Sequence, residues 1–167
     1  MEIPFGLEQT IDTNGTLRQY AVPRNLGLKA DWGVSLNQQH EKFEYEAAVT
    51  TGGVQSIGRK DGSFTVSGRI GTNRDANQVF GLSLYRSKLG GVIRERAGLD
   101  LQSYFGRYGV FAELSLGNND GARVLNYMAE LNLRSRRDSW LFYVQANHFS
   151  SRNSGEWQRT SLGTAGI

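Results

Sequence analysis

The sequence lacks the features on which several protein classes depend. It contains no cysteine, which excludes a disulfide framework and a thiolate metal site. Mean hydropathy is −0.46, and no apolar run approaches the roughly eighteen residues of a membrane-spanning helix, so a helical membrane protein is excluded. With two histidines, no phosphate loop and no Gly-x-Ser-x-Gly elbow, we expect no cofactor, no metal and no enzymatic activity.

Charge of both signs is present but is not separated along the chain. There are 19 Lys and Arg residues against 16 Asp and Glu residues, for a net charge of +3. Because the two signs are interleaved, nucleic acid is not an expected partner. Met1 is followed at once by EIPFGLE, without the basic and apolar regions of a signal peptide. We therefore expect that a leader was removed or that the chain is a piece of a longer protein.

Alternation of apolar and polar residues is the dominant pattern. In residues 26–37, LGLKADWGVSLN, every second residue is apolar, which is the period of a strand with one apolar and one polar face. At about 3.4 Å per residue the run is roughly 40 Å long, which suits a strand that crosses a bilayer at a tilt. The pattern predicts one long strand here, with Leu28 and Val34 on its apolar face.

The same alternation recurs to the end of the chain. Further alternating segments begin near Phe43, Phe64, Phe80, Ala97, Tyr108, Leu125, Trp140 and Trp157. They predict an all-β fold, an antiparallel meander of about eight or nine strands that forms a transmembrane β-barrel or part of one. Residues 1–167 are expected to be a single barrel or barrel-segment domain, in which residues 1–25 hold a strand end and a long loop.

The predicted connections differ in length at the two ends of the strands. Those near residues 38, 74, 106 and 136 read as tight turns, whereas those near 56, 89, 120 and 153 read as mostly longer loops. Short turns at one end and long loops at the other are typical of outer-membrane barrels. This pattern predicts the same asymmetry for the folded chain.

Alternation alone does not decide which face meets lipid, since a lipocalin-like barrel turns its apolar face inward. Bulky charge on the polar face favours a water-filled interior, and Arg86 and Glu95 on the apolar face fall near strand ends, within reach of lipid headgroups. Aromatic residues such as Phe43 and Trp140 lie near strand ends, as an interfacial girdle requires. The pore-lining candidates are the charged residues of the polar face: Lys29, Asp31, Glu44, Glu46, Arg69, Arg94, Arg96, Asp100, Glu113 and Glu130.

A short motif near the start resembles a known family. Pro4-Phe5-Gly6-Leu7-Glu8, then a loop, Arg24 and a segment with Asp31-Trp32-Gly33 resemble the phosphate-selective porin O and P family of outer-membrane channels. The resemblance implies passive diffusion of small hydrophilic or ionic solutes through the bacterial outer membrane. Because that family has about sixteen strands, it also implies that this chain is an internal fragment.

The resemblance further implies a loop that folds into the pore and narrows it. The constriction-loop candidates are Glu8, Asp12, Arg18 and Arg24. The expected partners are outer-membrane lipid and small hydrophilic solutes or ions, and a homotrimer is a possible assembly. Mixed charge on the polar face leaves the ion preference open.

Two other functions remain open. In Asn147-His148-Phe149-Ser150, a His two residues before a Ser resembles the catalytic pair of outer-membrane phospholipase A and lipid A deacylases. The Ser-Asn-Gly that follows in phospholipase A is absent, and no orienting partner can be identified. A soluble lipocalin-like binding barrel is the other alternative. An acid or amide beside His148 would favour the hydrolase, and an inward apolar face would favour the lipocalin.

Overall fold

The structure is a computed structural model that describes residues 1–7, 25–28, 30–53, 62–137 and 139–167. Its named elements are nine strands: β1 (Gly33–Gln39), β2 (Phe43–Thr50), β3 (Phe64–Thr72), β4 (Gln78–Leu89), β5 (Val92–Phe105), β6 (Tyr108–Asn119), β7 (Ala122–Arg134), β8 (Leu141–Asn153) and β9 (Glu156–Gly166). Among the described residues, no helix has the length and apolar character needed to span a membrane.

All nine strands form one sheet in chain order, and each strand pairs antiparallel with the next. This confirms the predicted all-β antiparallel meander. β1 and β9 are the two edges of the sheet and do not pair with each other. The sheet is therefore open, and the described strands do not close into a barrel.

The first predicted strand is wrong in its first half. β1 begins at Gly33 rather than near residue 26, and Leu26 and Leu28 are 0% and 3% exposed instead of lying on the apolar face of a strand. Gly27, with φ of 90°, turns the chain out of the extended path between them. The alternation of residues 26–28 thus reflects burial inside the protein.

The predicted asymmetry in loop length is also wrong. Three connections expected to be long are two-residue turns: Gly90–Gly91, Asp120–Gly121 and Ser154–Gly155. Both residues of each turn have positive φ, as the type I′ hairpin turn requires because its twist matches that of the strands. Residues interpreted as loop therefore continue the strands up to the turn. We call this end of the sheet the Gly90 end and the opposite end, with the Gly106–Arg107 turn, the Gly106 end.

Burial follows the predicted alternation along β2 to β8, whereas the edge strands β1 and β9 are largely exposed on both faces. In β4, every second residue from Val79 to Ser87 is buried, whereas Phe80, Leu82 and Leu84 are 53%, 46% and 60% exposed. We call the face with buried, mostly polar side chains the inner face and the face with exposed apolar side chains the outer face. Val34, Leu99 and Leu131 lie on the outer face, as predicted, and are 74%, 57% and 54% exposed.

Residues 1–7 and 25–28 pack on the inner face. Phe5 and Leu26 form a cluster with Tyr85, and Leu7 forms another with Phe111 and Met128. Phe5, Leu7 and Leu26 are all 0% exposed. Their partners Tyr85, Phe111 and Met128 belong to β4, β6 and β7. The sheet is thus a wall whose polar face carries these two segments.

Candidate functional site on the inner face

The structure brings the predicted polar-face charges together on the inner side of the wall. Seven of the ten candidates are buried there: Asp31, Glu44, Arg69, Arg96, Asp100, Glu113 and Glu130. Glu46 and Arg94 lie on the same face and are partly buried. Lys29 and the loop candidates Glu8, Asp12, Arg18 and Arg24 lie outside the described residues.

Arg69 is the centre of a buried charge network. Its Nη2 and Nε donate to the two carboxylate oxygens of Asp100 at 2.6 and 3.0 Å, and its Nη1 lies 3.6 Å from Oε1 of Glu44. Glu44 also accepts from Nε of Arg74 at 2.9 Å. Two arginines therefore balance two carboxylates across β2 to β5. This part of the inner face carries little net charge despite its many ionised groups.

Two further carboxylates hold backbone and amide groups. Oε2 of Glu113 accepts a hydrogen bond from the Leu7 amide at 3.0 Å. Glu130 accepts from Nε2 of Gln145 at 3.1 Å and from Nδ2 of Asn132 at 3.3 Å. Hydrogen bonds to an ionised carboxylate stabilise it when water is excluded. These two carboxylates therefore hold neighbouring groups in place on the inner face and also give it charge.

Arg96 holds residues 25–28, the second of the two segments that pack on the inner face. Its Nε donates to Oδ1 of Asn25 at 2.8 Å and its Nη2 to the Asn25 carbonyl at 2.9 Å. Nδ2 of Asn25 donates to Oγ of Ser115 at 2.6 Å, and the Tyr85 hydroxyl donates to the Leu26 carbonyl at 2.9 Å. Together with the bond from Leu7 to Glu113, these contacts attach both flanks of residues 8–24 to the inner face.

Three contact residues of the inner face are not predicted from the sequence: Tyr85, Asn25 and Ser115. A signal for Tyr85 was present, because bulky Tyr85, Phe111 and Met128 occupy polar-face positions of their strands. Such residues require an apolar partner in the interior, and residues 1–7 and 25–28 provide it. No local pattern marked Asn25 and Ser115, which meet 90 residues apart in sequence.

Asp31 holds the chain where β1 begins. Its carboxylate accepts hydrogen bonds from the Trp32 amide at 2.8 Å and the Gly52 amide at 2.5 Å. Its backbone pairs with Met1, with the Asp31 amide 2.9 Å from the Met1 carbonyl oxygen. Burial acts to raise the pKa of Asp31, but the side chain of Thr50, the two amides and the side chain of Thr51 outweigh it and hold the pKa below its ordinary value of 3.8.

A polar pocket of about 450 Å³ opens at the Gly106 end, beside the edge strand β1. Its lining includes Gln39 of β1, Glu44 and Glu46 of β2, and Arg74 and Asp75 of the turn after β3. A pocket lined by polar and charged side chains can hold water, ions or small polar solutes. Among the described residues, no three or more His, Asp or Glu side chains are grouped as metal ligands.

The pairing of His148 with Ser150, which the alternative of a lipid hydrolase requires, is not formed. Nδ1 of His148 lies 2.8 Å from Oγ of Ser161 on the neighbouring strand β9, and its ring stacks on Tyr127 with centroids 4.7 Å apart. The Ser150 hydroxyl instead lies 3.5 Å from the Leu125 carbonyl oxygen. In the described part of the chain, no carboxylate bonds to His148 or Ser161, so the orienting group of a triad is missing there.

The comparisons with known proteins give no relative. No protein-family model matches the chain, and neither a curated protein nor a solved structure matches it. The resemblance to the phosphate-selective porin O and P family therefore stays a prediction from the short motifs that carry it.

Proposed function

We propose that the chain is part of the wall of a transmembrane β-barrel in a bacterial outer membrane. In this proposal the barrel is a porin-like channel for passive diffusion of small hydrophilic or ionic solutes. The observation that carries it is the distribution of side chains, with exposed apolar residues on the outer face and buried charged residues on the inner face. That arrangement is the reverse of a water-soluble barrel and suits a wall between lipid and a polar interior.

The energetics of the outer face support a lipid environment. Eight of its aliphatic residues are more than half exposed: Val34, Leu36, Val49, Leu84, Leu99, Leu116, Leu131 and Val144. Full burial of such a side chain is worth about 1.5–3 kcal/mol, so these eight alone forgo roughly 7–14 kcal/mol in water. The whole stability of a domain is about 5–15 kcal/mol. The outer face therefore requires an apolar cover, and lipid acyl chains provide one over its full extent.

Strand length agrees with this function. β4 to β8 contain 12, 14, 12, 13 and 13 residues. A strand tilted by about 45° needs about 9–11 residues to cross the hydrocarbon core. These strands can span a bilayer with their ends in the headgroup regions.

The open edges are consistent with a barrel that other strands complete. Unpaired backbone groups at β1 and β9 would be costly in lipid, where water cannot satisfy them. Because nine strands alternate in direction, β1 and β9 run the same way and cannot pair antiparallel with each other. Antiparallel closure requires an odd number of further strands between them, which is consistent with a segment of a larger barrel.

The orientation of the two faces can be tested directly. We would reconstitute the chain in bilayers with single spin labels at Leu99 and Leu131, and compare them with labels at Asp100 and Glu130. Lipid-soluble oxygen should relax the first pair more strongly, and a water-soluble nickel chelate the second pair. Stronger relaxation of Leu99 and Leu131 by the nickel chelate would reject the proposal.

The structure gives less support to the two alternative functions. A lipocalin-like barrel needs its apolar face inside, whereas the described strands turn their apolar face outward. A lipid hydrolase needs an oriented nucleophile, and His148 contacts Ser161 rather than Ser150. If the His148→Ala and Ser161→Ala variants both abolish lipid cleavage that the unmutated protein performs, the hydrolase would replace the channel as the function.

A further inference from the structure

A row of polar residues crosses the outer face near the Gly90 end. Strand pairing makes these residues neighbours in the order Arg86, Glu95, Asn118, Arg123, Arg152 and Trp157, from β4 to β9. They share the face of the exposed apolar side chains, because each is an even number of residues from an outer-face position of its strand. On β6 to β9 the row marks the end of the apolar surface, and on β5 the exposed Ile93 lies beyond it.

On the β7 to β9 side of this row, positive charge is not balanced by negative charge. Nε of Arg86 lies 3.5 Å from a carboxylate oxygen of Glu95, so these two charges neutralise each other. Arg123 lies directly opposite Arg152, and Arg159 is diagonal to Arg152. Like charges directly opposite each other on neighbouring strands are destabilising. The fold nevertheless places three arginines together, which we call the arginine triad.

Carboxylates close to the arginine triad are engaged elsewhere. Glu95 pairs with Arg86, and Asp120 in the adjoining turn accepts a hydrogen bond from the Ile93 amide at 2.8 Å. Glu156 lies on the inner face by the alternation of β9. Within the described part of the chain, no carboxylate forms an ion pair with the triad, and Nε of Arg152 donates only to the Gly155 carbonyl at 3.3 Å.

We propose that the arginine triad binds the anionic phosphate headgroup of a membrane lipid. An arginine presents paired N–H groups that match phosphate oxygens, and a phosphate between Arg123 and Arg152 would remove their repulsion. The neighbouring Trp157, 40% exposed, belongs to the residue type that concentrates at the level of lipid headgroups. The proposal rests on the proposed function, because it requires lipid against the outer face.

The position of the triad favours lipid over a diffusing solute. Solutes would pass along the inner face, on the other side of the sheet from these side chains. Below the row, Tyr127 and Leu131 continue the apolar surface along β7 and are 45% and 54% exposed. A ligand that satisfies both regions has a phosphate at one end and acyl chains at the other.

The test measures lipid preference with a matched pair of variants. The full chain is folded in mixed micelles containing equal amounts of phosphatidylglycerol and phosphatidylcholine with the same acyl chains, and retained lipids are counted by native mass spectrometry. R123Q/R152Q removes two triad charges. R86Q/E95Q removes a neutral pair from the same row and leaves the net charge unchanged.

We expect the unmutated chain and R86Q/E95Q to retain phosphatidylglycerol preferentially. Since one basic residue near an anionic surface changes affinity by about fivefold, R123Q/R152Q should lower that preference by fivefold or more. An equal preference in all three proteins would overturn the proposal. So would loss of the preference in sodium phosphate but not in sodium chloride of equal ionic strength, because the ligand would then be free phosphate.

Failure of this inference is distinguishable from failure of the proposed function. Flotation with vesicles of pure phosphatidylcholine measures insertion without any anionic headgroup. A chain that inserts into these vesicles but shows no preference for phosphatidylglycerol overturns only the role of the triad. A chain that does not insert overturns both proposals.

Discussion

Arg69 and Asp100 form a two-point ion pair across an intervening strand, with N–O distances of 2.6 and 3.0 Å. β4 lies between their strands, and the residue that it places between them is Gly81. A Cβ at Gly81 would fall against both the guanidinium and the carboxylate. The absence of a side chain there allows two buried charges on non-adjacent strands to meet.

Asp100→Asn should destabilise the protein strongly. It removes the charge that balances Arg69, whose side chain is only 2% exposed, and breaking a buried pair costs about 3–5 kcal/mol. The free energy of unfolding in urea, measured by tryptophan fluorescence in vesicles, reports the change. Arg86→Gln is the control, because its pair with Glu95 is exposed and should contribute no more than about 1 kcal/mol. Equal losses in the two variants would contradict the assigned role of the pair.

Gly81→Ala should also destabilise, for a steric reason. The new methyl group would displace Arg69 or Asp100, and overpacking of this kind costs about 1–3 kcal/mol. Gly163→Ala in β9 is the matched control, since a Cβ there meets no atom within 4 Å. The same urea titration should show Gly163→Ala to be neutral or slightly stabilising. A stabilised Gly81→Ala variant would show that the ion pair tolerates a side chain between its members.

The alternation of apolar and polar residues predicted the two faces of the sheet well. The face on which a strand residue lies depends on its position within that strand, which is a local property of the chain. The same alternation led to a wrong prediction at Leu26 and Leu28. Apolar residues that are buried against distant strands can show the same spacing as apolar residues on one face of a strand. The predicted turn lengths were wrong for a related reason. Gly, Asn and Ser near Asp120 are compatible both with a loop and with strand residues followed by a type I′ turn. The Arg69–Asp100 pair depends on register across three strands, which no local pattern contains.

Acid should release the contact between Asp31 and Gly52. The folded pKa of Asp31 lies below its ordinary value of 3.8, so the ionised carboxylate stabilises the fold fully above that value. This contribution is lost as the pH falls below 3.8 and through the folded pKa. Hydrogen exchange at the Gly52 amide should accelerate over that interval, after correction for intrinsic rates. In Asp31→Asn the amide should exchange faster at neutral pH, and an unchanged rate there would contradict the assignment.

The chain on its own should leave both edges of its sheet open. β1 and β9 run in the same direction, and the described strands offer neither of them an antiparallel partner at its outer edge. Outward-pointing amides of β1 and β9 should therefore exchange hydrogen much faster than those of β5, which is paired on both sides. Slow exchange at both edges of the isolated chain would indicate closure and would refute the need for further strands.

The predicted constriction loop, residues 8–24, lies outside the described residues, but its two flanks do not. Leu7 is held by Glu113 and Asn25 by Arg96, so both flanks are attached to the inner face. The family resemblance implies that the loop narrows the pore, and a loop with that role has to leave and rejoin the inner face. Charges in a narrow passage act strongly, because low-dielectric walls and little water screen them poorly.

Charge reversal in this loop should therefore change ion selectivity in the complete channel. Arg18→Glu or Arg24→Glu should shift the permeability ratio toward cations in planar bilayers, because each replaces a positive charge near the passage by a negative one. Arg59→Glu, in the connection between β2 and β3, is the control and should shift the ratio less. Deletion of residues 13–19 should raise single-channel conductance by removing part of the obstruction. If conductance and selectivity stay unchanged in all these variants, the loop lies outside the pore and the main argument for a porin of the suspected family is lost.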